Sequence, residues 1–267
     1  MLRSNYTHSI IFVESKFSNL NSEIKNFMKS ICCDKQPFCN QCEFCKKINE
    51  DRYADLMEIN GNMQNISKEQ ITQIKSRFNR AGFESINKKF YVIYNFENAS
   101  KEATNSLLKF IEEPLPSTYA ILTTRSISKI LPTIKSRCHV YRLKSNKKYF
   151  EENINKFELN EKQKKIVFET YFDLDEFITD YNSGDFMHYY DFIKKIVTNY
   201  DDIKTIKELS LEFKELDYFK IKKILLFYSV LQPNFKKELL DLINKLNLYP
   251  TKISVFNSIW NLSMENK

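Results

Sequence analysis

Residues 89–114 read KFYVIYNFENASKEATNSLLKFIEEP, and two different periods stand side by side in them. FYVIY is a short unbroken run of aromatic and β-branched residues, the pattern of a strand. A helix is expected from Ser100, because Thr104, Leu107, Leu108 and Ile111 recur at i, i+3, i+4, i+7 and Pro114 stops it. The same alternation extends both ways along the chain. SIIFV (9–13) precedes a helix from about Asn21 with the stripe Ile24, Phe27, Met28, Ile31; ADLMEI precedes a helix from Ser67; TYAILTT and CHVYRL follow Pro114. Strands separated by helices predict an α/β domain with a parallel sheet covered on both faces. From Lys144 onward there is no convincing strand. Phe235, Leu239, Leu242, Ile243 and Leu246 read as one helix stripe and Ile221, Ile224, Leu225 and Tyr228 as another, with Asn182-Ser183-Gly184 as the expected break.

At 267 residues the chain suits one or two domains, and 28% charged with 42% hydrophobic residues is a globular composition. Lys+Arg minus Asp+Glu is 41 − 34 = +7, a balance that permits an anionic partner without demanding one. No run of 18 apolar residues occurs, which excludes a helical membrane span. Only Ser9–Val13 is apolar near the N-terminus before charge returns, so no secretory signal is expected and the chain reads as cytoplasmic. The three glycines begin at Gly61, leaving none to shape a phosphate-wrapping loop earlier in the chain.

Five of the six cysteines fall between Cys32 and Cys45. Clustering of this kind in a long chain points to an intracellular metal site rather than a disulfide scaffold. Cys39-x2-Cys42-x2-Cys45 has the spacing at which thiolates converge on one tetrahedral ion, and either Cys33 or Cys32 can complete the set. Cys33 is favoured, because a continued helix would turn Cys32 to the core. Four thiolates close the coordination sphere, which makes structural Zn2+ the expected cofactor. Reduced cysteines without metal and a redox C-x-x-C are the competing readings.

Asn105–Pro114 (NSLLKFIEEP), the following strand and Ser136-Arg137-Cys138 together resemble the AAA+ subunits of bacterial clamp loaders, most of all the delta-prime subunits of DNA polymerase III. A four-cysteine zinc module after the first helix also belongs to the bacterial members. The resemblance covers about residues 1–143 well and the rest only in kind. It implies a RecA-like AAA+ domain over 1–143 with a zinc-binding insertion at about 32–47, a helical lid over 144–185, and an all-α collar for oligomerisation over 186–267. It also implies the partners: gamma/tau-type ATPase and delta-type loader subunits, and through them the sliding clamp and primer-template DNA, within the DNA polymerase III holoenzyme and away from membranes.

The chain departs from an active loader ATPase in two places. Where such an enzyme carries G-x-x-x-x-G-K-(S/T), this one has Glu14-Ser15-Lys16-Phe17-Ser18-Asn19-Leu20, and Lys16 alone does not replace the glycines. Where an Asp-Glu pair would hold Mg2+ and polarise water, Tyr94 and Asn95 stand. The expectation is a subunit that neither binds ATP nor hydrolyses it. Arg137, flanked by Ser136 and Cys138, is implied by the resemblance to act in trans as an arginine finger in a neighbour's ATP site; the bland alternative is a surface arginine paired with a nearby carboxylate. Thr123 and Thr124 take the place of a polar sensor with nothing to read. Cys138 is expected to be a small buried strand residue. Glu112 and Glu113 diverge by about 100° on a helix and are read as structural or interface groups, not a catalytic pair. His8, His139 and His188 are assigned no chemistry, and Phe256 with Trp260 is read as helix packing. Two other functions compete: a gamma/tau-like ATPase with a degenerate loop, and a zinc-knuckle nucleic-acid-binding protein. The second suffers because Lys35, Lys46 and Lys47 are offset by Asp34, Glu43, Glu50 and Asp51.

Overall fold

The computed structural model describes residues 8–265 except 36, 62–64, 80–81 and 249–250, so the first seven residues of the N-terminal reading lie outside the described ones. The chain divides into two compact units, Met1–Lys147 and Lys148–Lys267. In the first, β1 (Ser9–Val13), β2 (Leu56–Asn60), β3 (Lys89–Tyr94), β4 (Thr118–Thr124) and β5 (His139–Arg142) form one sheet in the order β2-β3-β4-β1-β5. All four pairings are parallel, with Ile10 opposite Ile121 and His139, and Val92 opposite Ile121 and Glu58.

Parallel strands need crossovers, and five helices supply them: α1 (Leu20–Cys32), α2 (Glu43–Asn49), α3 (Lys68–Phe78), α4 (Lys101–Glu112) and α5 (Pro132–Lys135). The strand residues alternate between two cores. Ile10, Phe12, Phe90, Val92 and Ile121 pack on α1 and α2 through Ile24, Phe27, Met28 and Ile48. Ile11, Tyr91, Ile93 and Leu122 pack on α3 and α4 through Ile71, Ile74, Leu107 and Phe110. Burial on both faces explains why these strands read as continuous apolar runs. The helix starts are set by side-chain caps. Asn19, Ser67 and Ser100 accept the N–H of Ser22, Gln70 and Ala103, and the Gln70 side chain answers Ser67 to complete a capping box. Helix α4 ends at Glu112, before Pro114, as expected. The short α2 and α5 were not expected, being seven and four residues with too few positions to show a period.

The second unit is helical throughout its described residues: α6 (Lys147–Ile154, entering from the first unit), α7 (Glu161–Thr170), α8 (Leu174–Asn182), α9 (Asp185–Thr198), α10 (Ile203–Glu215), α11 (Tyr218–Leu231), α12 (Lys236–Asn244) and α13 (Lys252–Met264). Gly184, at φ +83°, separates α8 from α9 at the expected break. Helix α11 packs against α7, α9 and α12, and Ile221, Ile224, Leu225 and Tyr228 are fully buried on it. The stripe read over 235–246 is not one helix: Phe235 precedes α12, and Leu246 lies in a separate 3-10 turn, Leu246–Leu248. Phe256 of α13 is buried against Phe213, and the Trp260 indole N–H donates to Tyr200 O at 2.8 Å, so both serve packing. No helix among the described residues is long and apolar enough to cross a membrane.

Candidate functional site

Helix α1 carries a loop of chemical interest at each end. At its C-terminal end, Cys33 caps the helix in an extended conformation instead of continuing it. That bend separates the two adjacent cysteines. Cys32 points into the core, its Sγ 3.6 Å from the Tyr53 hydroxyl and its thiol pushed up to about 11 by burial. Cys33 joins Cys39, Cys42 and Cys45, all four sulfurs lying within 4.8 Å of one another. The Cys33–Cys39 and Cys33–Cys42 separations are 3.6 and 4.0 Å, unbonded. Four ligands about 2.3 Å from one ion span a tetrahedron with edges of about 3.8 Å. The cluster matches that size and can hold a metal ion.

Backbone turns build the cluster. Asn40 takes φ +57°, which turns the chain between Cys39 and Cys42. The N–H groups of Gln41 and Cys42 then donate to Cys39 Sγ at 3.4 and 3.2 Å, and that of Cys39 to Cys33 Sγ at 3.4 Å. The donors from Gln41 and Cys42 hold the Cys39 thiol down at about 6. Cys45, buried at the start of α2, is pushed up to about 12 by desolvation. Sequence reading overlooked Lys29, whose only signal is that it lies on the last turn of α1, four residues before Cys33. It is 6% exposed and donates to Asn40 Oδ1 and Asn49 Oδ1 at 2.9 and 3.0 Å. Burial lowers its pKa, and Cys45 draws it back up. Three basic residues around the knuckle are paired, Lys25 with Asp51, Lys47 with Glu43 and Glu84, and Arg52 with Glu50.

At the N-terminal end, residues 14–18 run from the C-terminal edge of the sheet, where open α/β folds bind ligands. Here the loop is tied to the segment after β5. Ser15 Oγ donates to Leu143 O at 2.9 Å, Ser145 Oγ to Lys16 O at 2.6 Å, and Asn146 N to Phe17 O at 3.0 Å. Phe17 sits at φ +63°. Glu14 is buried, its N–H on Thr124 O at 2.9 Å and its carboxylate 3.8 Å from Arg125 Nε. Lys16 Nζ lies 5.1 Å from the Phe17 ring. On the neighbouring strands, Tyr94 donates to Glu58 at 2.7 Å, while the Asn95 N–H donates to Thr123 Oγ1 at 3.1 Å. Thr124 Oγ1 accepts from Ser126 N at 3.0 Å.

Arg137 follows α5 in a tight turn, its N–H on Ile134 O. The guanidinium donates through Nη1 to Thr133 O at 3.0 Å and pairs through Nη2 with Glu112 Oε1 at 2.8 Å. Both side chains are about two-fifths exposed, at 40% and 39%. The two motifs read separately in the sequence, the α4 helix and Ser136-Arg137-Cys138, therefore meet through this pair, while Glu113 caps α4. Cys138 is part-buried against the α3–α4 core, with its thiol pushed up to about 12 by desolvation. His8 stacks on Tyr119, His139 is exposed on β5, and His188 lies 3.4 Å from Glu212.

The chain is 26% identical over 259 residues to an uncharacterised Mycoplasma pneumoniae protein, covering 96% of this chain and 99% of that one. It is 39% identical over 100 residues to the DNA polymerase III subunit delta' of Bacillus subtilis, covering 38% of this chain and 30% of the relative, so it spans less than a third of that protein. Its fold is that of a DNA polymerase III gamma subunit-related protein of Thermotoga maritima, with a TM-score of 0.65 at 16% identity, covering 96% and 94% of the two chains. The family model for DNA polymerase III, delta subunit, matches residues 2–147, more than half of the chain. The chain belongs to that DNA polymerase III family, as a delta-prime-type clamp-loader subunit.

Proposed function

We propose that this chain is a non-catalytic clamp-loader subunit that binds no ATP of its own and presents Arg137 to the ATP site of a neighbouring gamma/tau-type subunit. The observation that carries this reading is the exposed ion pair of Arg137 with Glu112. A pair exposed to this degree contributes about 0–1 kcal/mol, so a phosphate can displace Glu112 at little cost. A planar guanidinium suits a transferring phosphoryl group, and its Glu112 contact keeps it oriented until a partner arrives. The tied loop 14–18 supports the absence of an ATP site. Ser15 Oγ, Lys16 O and Phe17 O are turned to residues 143–146, and the buried Glu14 carboxylate adds negative charge at the start of the loop, which disfavours a phosphate there.

In the same reading, Cys33, Cys39, Cys42 and Cys45 hold a structural Zn2+ that fixes the turn between α1 and α2. Residues 144–185 act as the lid and 186–267 as the oligomerising collar, the two joined by packing of α7 on α11 and of α8 on α9. The sliding clamp and primer-template DNA are met through the assembled loader, in the cytoplasm. ATP turnover by the partner ATPase subunits, with DNA and clamp, tests the proposal. Wild-type chain is expected to stimulate turnover, and an Arg137→Ala chain to assemble yet stimulate poorly. Equal stimulation by both would reduce Arg137 to a surface ion pair.

A further inference from the structure

Lys29 is a buried ammonium whose partners are all neutral. Two of its three N–H donors go to the side-chain oxygens of Asn40 and Asn49, and Nζ lies 4.4 Å from the Phe38 ring centroid. Among the described residues no carboxylate pairs with it. The contrast with Lys25, one turn earlier on α1, is direct: that ammonium pairs with Asp51 at 2.8 Å. Charges are rarely buried without a counter-charge, because desolvation then goes uncompensated. Two of Lys29's three contacts nevertheless adjoin a metal-ligand candidate. Phe38 and Asn40 flank Cys39, and Asn49 lies one turn after Cys45 on α2.

We propose that the missing counter-charge is the metal centre itself, and that Lys29 is its positioning residue. Four thiolates around a divalent ion carry a net charge of −2, which a buried cation at this place offsets. The ammonium also grips Asn40, the left-handed turn residue between Cys39 and Cys42, and so holds the turn that brings the Gln41 and Cys42 N–H groups onto Cys39 Sγ. This inference rests on the zinc reading above. It assigns Lys29 a larger favourable effect with metal bound, where the site carries a net −2, than without it. A lysine acting as a plain clip would contribute equally to both.

Wild-type chain, Lys29→Met and Lys29→Gln would be compared under reducing conditions, by zinc competition against a chromophoric chelator and by melting of zinc-loaded and metal-free forms. Lys29→Met is expected to weaken zinc binding by about ten- to a hundredfold, the range found for supporting residues of metal sites. Its zinc-loaded form should be lowered in melting temperature, relative to wild type, by clearly more than its metal-free form. Unchanged zinc affinity, with both forms destabilised alike, would overturn the proposal. Should Lys29→Met not fold, Lys29→Gln keeps a hydrogen-bonding end without charge, and wild-type zinc affinity in that variant would also overturn it. A wild-type chain that takes up no zinc would bring down the metal reading first, and this inference with it.

Discussion

The two ends of α1 make opposite use of similar material. Each begins as a short loop with one residue, among those described, at positive φ, Phe17 on one side and Asn40 on the other. At the N-terminal end, Ser15, Lys16 and Phe17 are bound to residues 143–146, and a buried carboxylate, Glu14, occupies the sheet edge. At the C-terminal end, the backbone N–H groups turn inward onto sulfur, and four thiols converge. A loop binds when its ligating groups aim at a common point. It becomes a structural joint when the rest of the fold takes up its hydrogen-bonding groups first.

Breaking the C-terminal end should have the larger effect. Cys42→Ser removes one of four ligands and is expected to weaken zinc binding by more than about a hundredfold, beyond what loss of a supporting residue costs; metal analysis of the purified chain checks it. In the metal-free chain, Cys39 ionises near pH 6 instead of the ordinary 9.0, because the Gln41 and Cys42 N–H groups stabilise its thiolate. A thiol with a depressed pKa favours the folded chain above the ordinary thiol range, and that contribution fades as pH falls toward 6. Alkylation of Cys39 should therefore show a midpoint near pH 6, whereas Cys32, pushed up to about 11, stays unreactive at neutral pH. Mass-spectrometric mapping across pH separates the two sites.

The N-terminal end offers smaller handles. Asn19→Ala deletes the cap of α1 and should cost about 0.5–2 kcal/mol by urea unfolding. Ser15→Ala cuts one of the ties to the segment after β5 and should cost about 0.5–1.5 kcal/mol. Neither change should create ATP affinity, as titration calorimetry would show, because no glycine-rich backbone cradle is restored. Appearance of tight ATP binding in either variant would mean that the loop is merely closed.

Strand and helix order were legible because burial on both faces of a parallel sheet leaves unbroken apolar runs, as in TYAILTT, whose expected bounds coincide with β4. Where periods are short, reading stopped: α2 has seven residues, and the stripe at 235–246 crosses a helix and a 3-10 turn. C-x2-C spacing likewise named three cysteines that sit on one local turn, while the choice between Cys32 and Cys33 depended on where α1 ended.

Local chemistry is written in neighbouring residues, and so the periods, the caps, the knuckle spacing and the missing glycines could all be read before any coordinates. Contacts between distant segments cannot be read that way, because they depend on how crossovers bring helices and loops together. Arg137 meeting Glu112, residues 15–17 meeting 143–146, and Lys29 buried beneath Asn40 and Asn49 belong to that second kind. Each places a charge or a hydrogen-bonding group beside a partner that only folding supplies, and with it the polarity and desolvation that decide what the group can do.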